Sequence, residues 1–270
     1  MATTQTLDAP AGTAAELPIR TIGAADIRAA LSEGFSDFLD RRGDLLFIGL
    51  IYPLVGLVAA TVSLGGALLP LFFPIAAGIA LLGPLAAIGF YELARRREDG
   101  QDAGWSHFLD IRKRPSFDAI QVVAGVLLVI FLAWLAVAAA LYSALMGAAP
   151  EGIGDFVTRL FTTPEGWALI LLGNLAGLAF AVIVLAVSVV SLPLLVDRDV
   201  GAGTAIATSV RAVRANKAVM LRWGATVAVL LVLGSLPLFM GLAVVLPWLG
   251  YATWHLYTKL VDRSALPIAL

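Results

Sequence analysis

Residues 34–42 read Gly-Phe-Ser-Asp-Phe-Leu-Asp-Arg-Arg, and a related stretch occurs 70 residues later. The second copy, residues 104–112, reads Gly-Trp-Ser-His-Phe-Leu-Asp-Ile-Arg. Each copy stands shortly before a long apolar run. We interpret each copy as an amphipathic helix that lies on a membrane surface and leads into a hydrophobic hairpin.

The composition of the chain excludes several classes of protein. Hydrophobic residues make up 60% and charged residues 14% of the 270 residues, and the mean hydropathy is +0.93. A soluble domain has about 25% charged residues, so most of this chain is predicted to lie in lipid. The absence of cysteine excludes disulfides, thiolate metal sites and cysteine nucleophiles. The net charge of -1 argues against a nucleic-acid partner.

The apolar runs predict an all-α membrane protein with six transmembrane helices. A membrane-crossing helix needs about 20 apolar residues, and isolated strands cannot satisfy their backbone in lipid. The predicted spans, paired as three hairpins, are 45–64 with 68–93, 119–146 with 167–195, and 218–236 with 238–257. The last pair can equally be a single re-entrant unit. Each hairpin is predicted to follow a cytoplasmic amphipathic surface helix.

The domain organisation follows from these spans. Residues 1–22 are predicted to be a disordered cytoplasmic tail and residues 264–270 a second cytoplasmic tail. Residues 23–263 form one integral membrane domain of three related units, 23–100, 101–199 and 200–263. Of the 18 Lys and Arg residues, only Arg159 falls on the far side of the predicted spans. This bias places both termini in the cytoplasm.

The surface helices are predicted from apolar positions spaced three and four residues apart. The first contains Ile27, Leu31, Phe35, Phe38 and Leu39. A shorter second version contains Trp105, Phe108 and Leu109, and a weaker third version contains Ile206, Val210, Val213 and Met220.

His107 and His255 are the two histidines, and both are predicted to lie at the cytoplasmic boundary. One reading makes them axial haem or metal ligands. We prefer a structural reading. His107 occupies a polar position where the first copy of the repeat has Asp37, and His255 belongs to an interfacial aromatic belt.

Glu92 and Asp197 close the second and fourth predicted spans, and Arg198 follows Asp197. Acidic groups at membrane depth often serve a function such as gating a proton or cation. Both acids stand beside arginines, so we interpret them as members of simple ion pairs.

Asn174 is the most polar residue well inside a predicted span, within Gly173-Asn-Leu-Ala-Gly177. Such a pattern allows close helix packing, and packing within the chain or between two copies uses it equally. The clusters Arg95, Arg96, Arg97 and Arg112, Lys113, Arg114 are candidate sites for anionic lipid headgroups, although topology alone also demands them.

Two motifs resemble those of a known family. They are residues 191–198, Ser-Leu-Pro-Leu-Leu-Val-Asp-Arg, and residues 246–257, Leu-Pro-Trp-Leu-Gly-Tyr-Ala-Thr-Trp-His-Leu-Tyr. They resemble a bacterial family of six-span integral membrane proteins of unknown function, whose members are sometimes labelled cytochrome c oxidase subunit I. The resemblance covers residues 18–263 and implies a multi-pass protein of the bacterial inner membrane. It carries over no activity.

The oxidase label can be examined by counting ligands. The catalytic oxidase subunit requires six histidine ligands, and this chain has two histidines. An accessory role beside a respiratory oxidase survives this comparison. A more distant likeness is to the membrane region attached to some glycerophosphodiesterases, whose catalytic domain has no counterpart here.

We therefore expect a non-enzymatic inner-membrane scaffold, assembly or accessory protein, without a cofactor. Its partners would be membrane lipids and another membrane complex such as a respiratory oxidase. The alternative is a transporter of small solutes, ions or lipids, because internal repeats and prolines within spans recur in transporters. A third hypothesis is a haem or metal protein that uses His255.

Overall fold

The computed structural model describes residues 17–40, 74–75, 83–147, 150, 152–237 and 240–265, in which helices joined by turns predominate. The named α-helices are α1 Ala24–Asp40, α2 Gly83–Ala86, α3 Ile88–Glu98, α4 Phe117–Met146, α5 Ile153–Thr162, α6 Pro164–Ser188, α7 Ser191–Asp197, α8 Ala202–Ala215, α9 Lys217–Ser235 and α10 Leu242–Leu260. Short 3-10 turns occur at Trp105–His107, Asp110–Lys113 and Arg263–Ala265. The predicted all-α class is confirmed for this part of the chain.

Three helical segments among the described residues are long and apolar enough to cross a membrane. They are Phe117–Met146, Pro164–Asp197 and Lys217–Ser235, which match the third, fourth and fifth predicted spans. The first predicted span and half of the second lie outside the described residues. The sixth forms α10, which is not one of the three segments. The count of six spans and their arrangement as hairpins therefore stay predictions.

The centre of the described structure is α7, in which every residue from Ser191 to Asp197 is buried. The helix is interrupted between Ser188 at the end of α6 and the start of α7. Pro193 has no amide hydrogen to donate to the carbonyl of Val189, which favours a break at this point. The interruption lets the second half of this segment enter the protein core, while α6 keeps an exposed apolar face.

Residues 34–40 of the first copy of the repeat lie in α1, which packs along α10 from the opposite end of the sequence. Gly34 permits the close approach, because a Cβ atom there would lie 2.4 Å from the backbone nitrogen of Ala252. The indole nitrogen of Trp248 donates to the carbonyl of Leu31 at 2.8 Å. The buried residues of α1 are Ile27, Ala30, Gly34 and Phe38. One face of α1 is thus covered by protein.

Residues 17–22 are also packed, which corrects the predicted boundary of the disordered tail. Ile19 forms an antiparallel bridge with Val261. The amide of Arg20 donates to the carbonyl of Leu260 at 2.8 Å. Leu17 is only 3% exposed. The prediction of disorder is wrong for residues 17–22, because the local sequence does not reveal that they have a partner near residue 261.

The second copy of the repeat is not an α-helix, so the helix predicted before the third span is wrong. The chain here forms the 3-10 turns Trp105–His107 and Asp110–Lys113. The ring of Phe108 packs edge-on against Phe90, with 5.0 Å between ring centroids. It fits there because Gly89 has no side chain, and a Cβ atom at that position would lie 2.4 Å from the ring.

A helix, α8, is present at the position of the predicted third surface helix, but its buried face differs from the prediction. The buried residues are Ala205, Thr208, Ser209 and Ala212, whereas Ile206, Val210 and Val213 are half-buried. The amide of Val190 donates to the hydroxyl of Ser209 at 3.1 Å. Small residues therefore let α8 approach the interruption between α6 and α7.

A further helix, α5, lies between the third and fourth predicted spans. Its Phe156 is buried against Tyr142 and Met146 of α4. Its opposite face leaves Ile153, Val157 and Phe161 exposed. This apolar face suits a helix lying at the edge of a bilayer.

Candidate functional site

The candidate site is a network of charged side chains at one end of the helices, and its centre is Glu92 on α3. Glu92 is only 1% exposed. Its carboxylate accepts hydrogen bonds from Arg95 Nε at 3.1 Å and Nη2 at 2.8 Å, and from Arg96 Nε at 3.1 Å. These residues stand three and four positions apart, so one helix face brings them together. A buried carboxylate is stable only when such partners compensate its lost hydration.

Other nitrogens of the three arginines of α3 contact acids or backbone oxygens. Arg95 Nη1 contacts Asp99 at 2.7 Å, and Arg96 Nη2 contacts Asp110 at 3.0 Å. Arg97 Nε lies 3.2 Å from Asp37 of α1. The cluster considered above as a headgroup site is therefore extensively paired within the protein. The contacts of this cluster join α3 to α1 and to the 3-10 turn at Asp110–Lys113.

Asp110 links the second basic cluster to the network. Its carboxylate contacts Lys113 Nζ at 2.6 Å and His107 Nδ1 at 2.6 Å. The hydrogen bonds from Lys113 and His107, with the nearby charge of Arg96, hold the pKa of Asp110 down at about 2. His107 Nε2 lies 3.2 Å from Asp102. His107 thus sits between two carboxylates, at the polar position that the repeat predicts.

Arg114 differs from the other arginines near Glu92. Its Nη1 atom lies 3.8 Å from Glu92, beyond hydrogen-bond distance. Its Nε atom is buried without a hydrogen-bond partner in the described structure. Burial first, and repulsion by Arg95 second, lower the pKa of Arg114. Arg114 therefore adds positive charge near Glu92 but does not hold the Glu92 carboxylate in position by a hydrogen bond.

Asp197 forms a second buried acidic centre at the end of α7. It is 5% exposed, and the hydroxyl of Tyr257 donates to its Oδ2 at 2.7 Å. Arg198 and Arg263 approach its carboxylate to 3.3 and 3.7 Å. The predicted ion pair between Asp197 and a neighbouring arginine is present. The sequence did not indicate Tyr257, which reaches Asp197 from α10.

His255 also lies between two carboxylates, on the surface between α1 and α10. Its Nε2 atom is 2.8 Å from Asp37, and its Nδ1 atom is 3.3 Å from Glu33. Lys259 contacts the same Glu33 at 2.9 Å. An open cleft of about 290 Å³ is lined here by Asp37, Ala94, Arg97, Glu98, Trp254, His255 and Thr258. No group of three or more His, Asp or Glu side chains in the described ranges is arranged to hold a metal ion.

Further polar groups that sequence reasoning missed connect distant segments. Asn216 accepts from the amide of Ile22 at 2.9 Å and donates to the carbonyl of Arg20 at 3.2 Å. The indole nitrogen of Trp254 donates to Glu98 at 3.1 Å, and Arg263 pairs with the same carboxylate. No local pattern signals these contacts, because each joins residues more than 150 positions apart.

The network can therefore hold separate segments of the chain together. Its buried acids form ion pairs with nearby cations. Glu92, Asp197 and His255 belong to this end of the molecule. Asn174 lies apart from it on an exposed face of α6.

Comparison with known sequences agrees with this picture. Residues 72–197 match a family described as a predicted integral membrane protein (DUF2189). This protein is an integral membrane protein. The match confirms the resemblance to an uncharacterised membrane family, and it covers α3, α4, α6 and α7 with Glu92, Asn174 and Asp197. No curated protein and no solved structure matches this membrane protein.

Proposed function

We propose that this membrane protein is a non-enzymatic scaffold or accessory protein of the bacterial inner membrane. Its charged end would form the contact face for another membrane complex, with a respiratory oxidase as the first candidate. The observation that carries the proposal is the pattern of exposure in the two copies of the repeat. Both copies leave the same two apolar positions exposed.

The exposed positions are the aromatic residue after the glycine and the leucine four residues later. Phe35 and Leu39 are 38% and 42% exposed, and their counterparts Trp105 and Leu109 are each 53% exposed. Isolated exposed apolar residues are ordinary, but repeated pairs beside a charged surface are typical of a contact face.

The charged network supports the same proposal. The acids Glu92 and Asp197 are held by arginines or a tyrosine hydroxyl, which fixes their positions. These buried acids hold the surrounding arginines in place, and a charged surface with fixed geometry favours specific recognition of a partner. The filled core favours a scaffold over a transporter, since Leu192, Leu194 and Leu195 of α7 are fully buried.

Native purification followed by mass spectrometry tests the proposal. Wild-type protein is expected to co-purify with one recurring membrane complex, and Trp105→Ala with Leu109→Ala is expected to lose it. Trp167→Ala is the matched control for the tryptophan, because Trp167 is 57% exposed at the other end of the spans. A wild-type protein that is always recovered alone would overturn the proposal. So would loss of the complex in the control to the same extent.

A further inference from the structure

Asn174 exposes an amide on a face of α6 that is otherwise apolar. Its Nδ2 atom donates to the carbonyl of Ile170 at 2.7 Å, within its own helix. In the same pattern a Cβ atom on Gly177 would lie 3.3 Å from the ring of Trp134, whereas a Cβ atom on Gly173 would meet nothing within 4 Å. Within the described structure, Trp134 packs against Gly177. No described side chain packs against Gly173, and Asn174 is exposed.

The position of Asn174 along α6 places it inside the hydrocarbon layer. Trp167 is exposed near the start of α6, as residues of an interfacial aromatic belt are. Asn174 follows seven residues later, which is about 10 Å along a helix. A hydrocarbon core is about 30 Å thick. An amide at this depth has no water to bind, so a second helix is its favourable partner.

Asn174 and three of the exposed residues near it are spaced as in a paired helix. Leu171, Asn174, Leu178 and Ala181 are all exposed and lie three and four positions apart; we call them the α6 seam. Leu171 and Leu178 are 62% and 61% exposed. A spacing of about 3.5 residues is that of two helices in a left-handed pair. One Asn in such an apolar seam fixes register and the number of helices.

We propose that the α6 seam joins two copies of this chain in a parallel, two-fold symmetric dimer. All copies enter the membrane in the same orientation, so equivalent residues of two copies lie at the same depth. The amide of Asn174 contains both donors and an acceptor. It can therefore form reciprocal hydrogen bonds with Asn174 of the second copy, whereas a span of another protein would need its own polar side chain at this depth.

This proposal goes beyond the scaffold function and does not depend on it. The dimer would be formed by α6 within the bilayer, whereas the proposed contact face lies at the charged end. Loss of the co-purifying complex would leave the dimer intact, and loss of the dimer would leave Trp105 and Leu109 in place.

Cysteine cross-linking tests the seam directly, because the natural chain contains no cysteine. The seam variants are Leu171→Cys, Leu178→Cys and Ala181→Cys, and the control variants are Leu172→Cys and Val229→Cys. Leu172 is 43% exposed on another face of α6, and Val229 is 57% exposed on α9. Each full-length variant is reconstituted in liposomes and oxidised at increasing dilution in lipid. We expect disulfide-linked dimers to form at least about fivefold faster at the seam than at the controls, since disulfides require close Cβ atoms.

The role of Asn174 is tested by fluorescence energy transfer between labelled copies. Asn174→Leu is expected to weaken dimerisation about three- to tenfold, from the size of amide hydrogen bonds between membrane helices. Asn174→Gln keeps the amide and is expected to retain most of the association. Thermal unfolding of diluted monomers should be unchanged in both variants. That result distinguishes a contact between copies from one within the chain.

Several outcomes would overturn the dimer. They are equal cross-linking at seam and control positions, a monomer at every lipid dilution, and undiminished association of Asn174→Leu. Cross-links from the seam to a different protein, or to another segment of the same chain, would also contradict it.

Discussion

At the scale of single residues, Glu92 combines near-complete burial with three arginines around one carboxylate. Glu92→Gln is expected to lower the free energy of unfolding by about 3–5 kcal/mol, because it removes the buried negative charge that Arg95, Arg96 and Arg114 share. Chemical unfolding in detergent measures the change. Asp99→Asn is the control, since the Asp99 side chain is 47% exposed and pairs only with Arg95; it should cost less than about 1 kcal/mol. Equal losses would contradict the central role of Glu92.

Asp110 provides a prediction about pH. Its pKa is about 2 in the folded protein, below its ordinary value of 3.8. A depressed carboxyl pKa stabilises the fold above pH 3.8, and this contribution is lost as the pH falls from 3.8 towards 2. Carbon-13 NMR of the labelled Asp110 carboxyl group should show ionisation down to about pH 2.

The Lys113→Ala variant tests the cause of that shift. The hydrogen bond from Lys113 is the largest contribution that lowers the pKa of Asp110, so its removal should return the pKa towards the ordinary value. Arg112→Ala is the matched control, since Arg112 is a neighbouring exposed cation. If Lys113→Ala left the pKa of Asp110 unchanged, His107 and Arg96 would be sufficient to lower it.

The residue-level predictions from sequence succeeded where the partner is close in the chain. Glu92 stands three and four positions before its arginines, and Asp197 directly precedes Arg198, so ion pairs were predictable. His255 was assigned to an aromatic belt, and its contacts with Glu33 and Asp37 come from the first helix. Contacts across more than 200 positions depend on tertiary packing, which no local spacing encodes.

At the scale of helices, the close packing of α1 against α10 depends on a glycine, Gly34, at their contact. Gly34→Ala would bring a Cβ atom to 2.4 Å from the backbone of Ala252. We expect the free energy of unfolding to fall by about 1–3 kcal/mol, as for other overpacked contacts. Limited proteolysis should show earlier cleavage within α1.

The repeat supplies the matched control for this substitution. Gly104 is the equivalent glycine of the second copy, and its Cβ atom would approach Asp102 no closer than 3.4 Å. Gly104→Ala should therefore change stability by less than about 0.5 kcal/mol. Similar effects of the two substitutions would mean that α1 tolerates a wider separation from α10.

Helix positions were easier to predict than helix faces. The apolar run of α4 predicted its existence, because length and hydropathy suffice for a membrane-crossing helix. For α8 the apolar stripe pointed to Ile206 and Val210, whereas Ser209 and Ala212 are buried. Close packing there selects small side chains and a hydrogen bond, and hydrophobicity patterns do not record either property. In the second copy of the repeat the apolar residues have helical spacing, but the chain forms 3-10 turns and Phe108 packs against Phe90.

At the scale of the whole molecule, the contact between residues 19 and 261 bears on topology. Two segments that touch outside the bilayer lie on the same side of it, which supports the predicted even number of crossings. Thr21→Cys and Ser264→Cys should react with a membrane-impermeant maleimide from one side. Thr158→Cys on α5 should react from the other side. All three positions are exposed. Labelling of Thr158→Cys together with the other two would contradict the predicted topology.

The packing of α1 against α10 also constrains the order in which the protein is made. The ribosome releases residues 24–40 long before it releases residues 242–260, so the face of α1 with Ile27 and Phe38 has no partner during most of synthesis. Helix α1 can dock only after α10 has been synthesised, so this docking is a late step of assembly. A nascent chain stopped near residue 240 should therefore keep α1 open to proteases or chaperones, and completion of the chain should protect it.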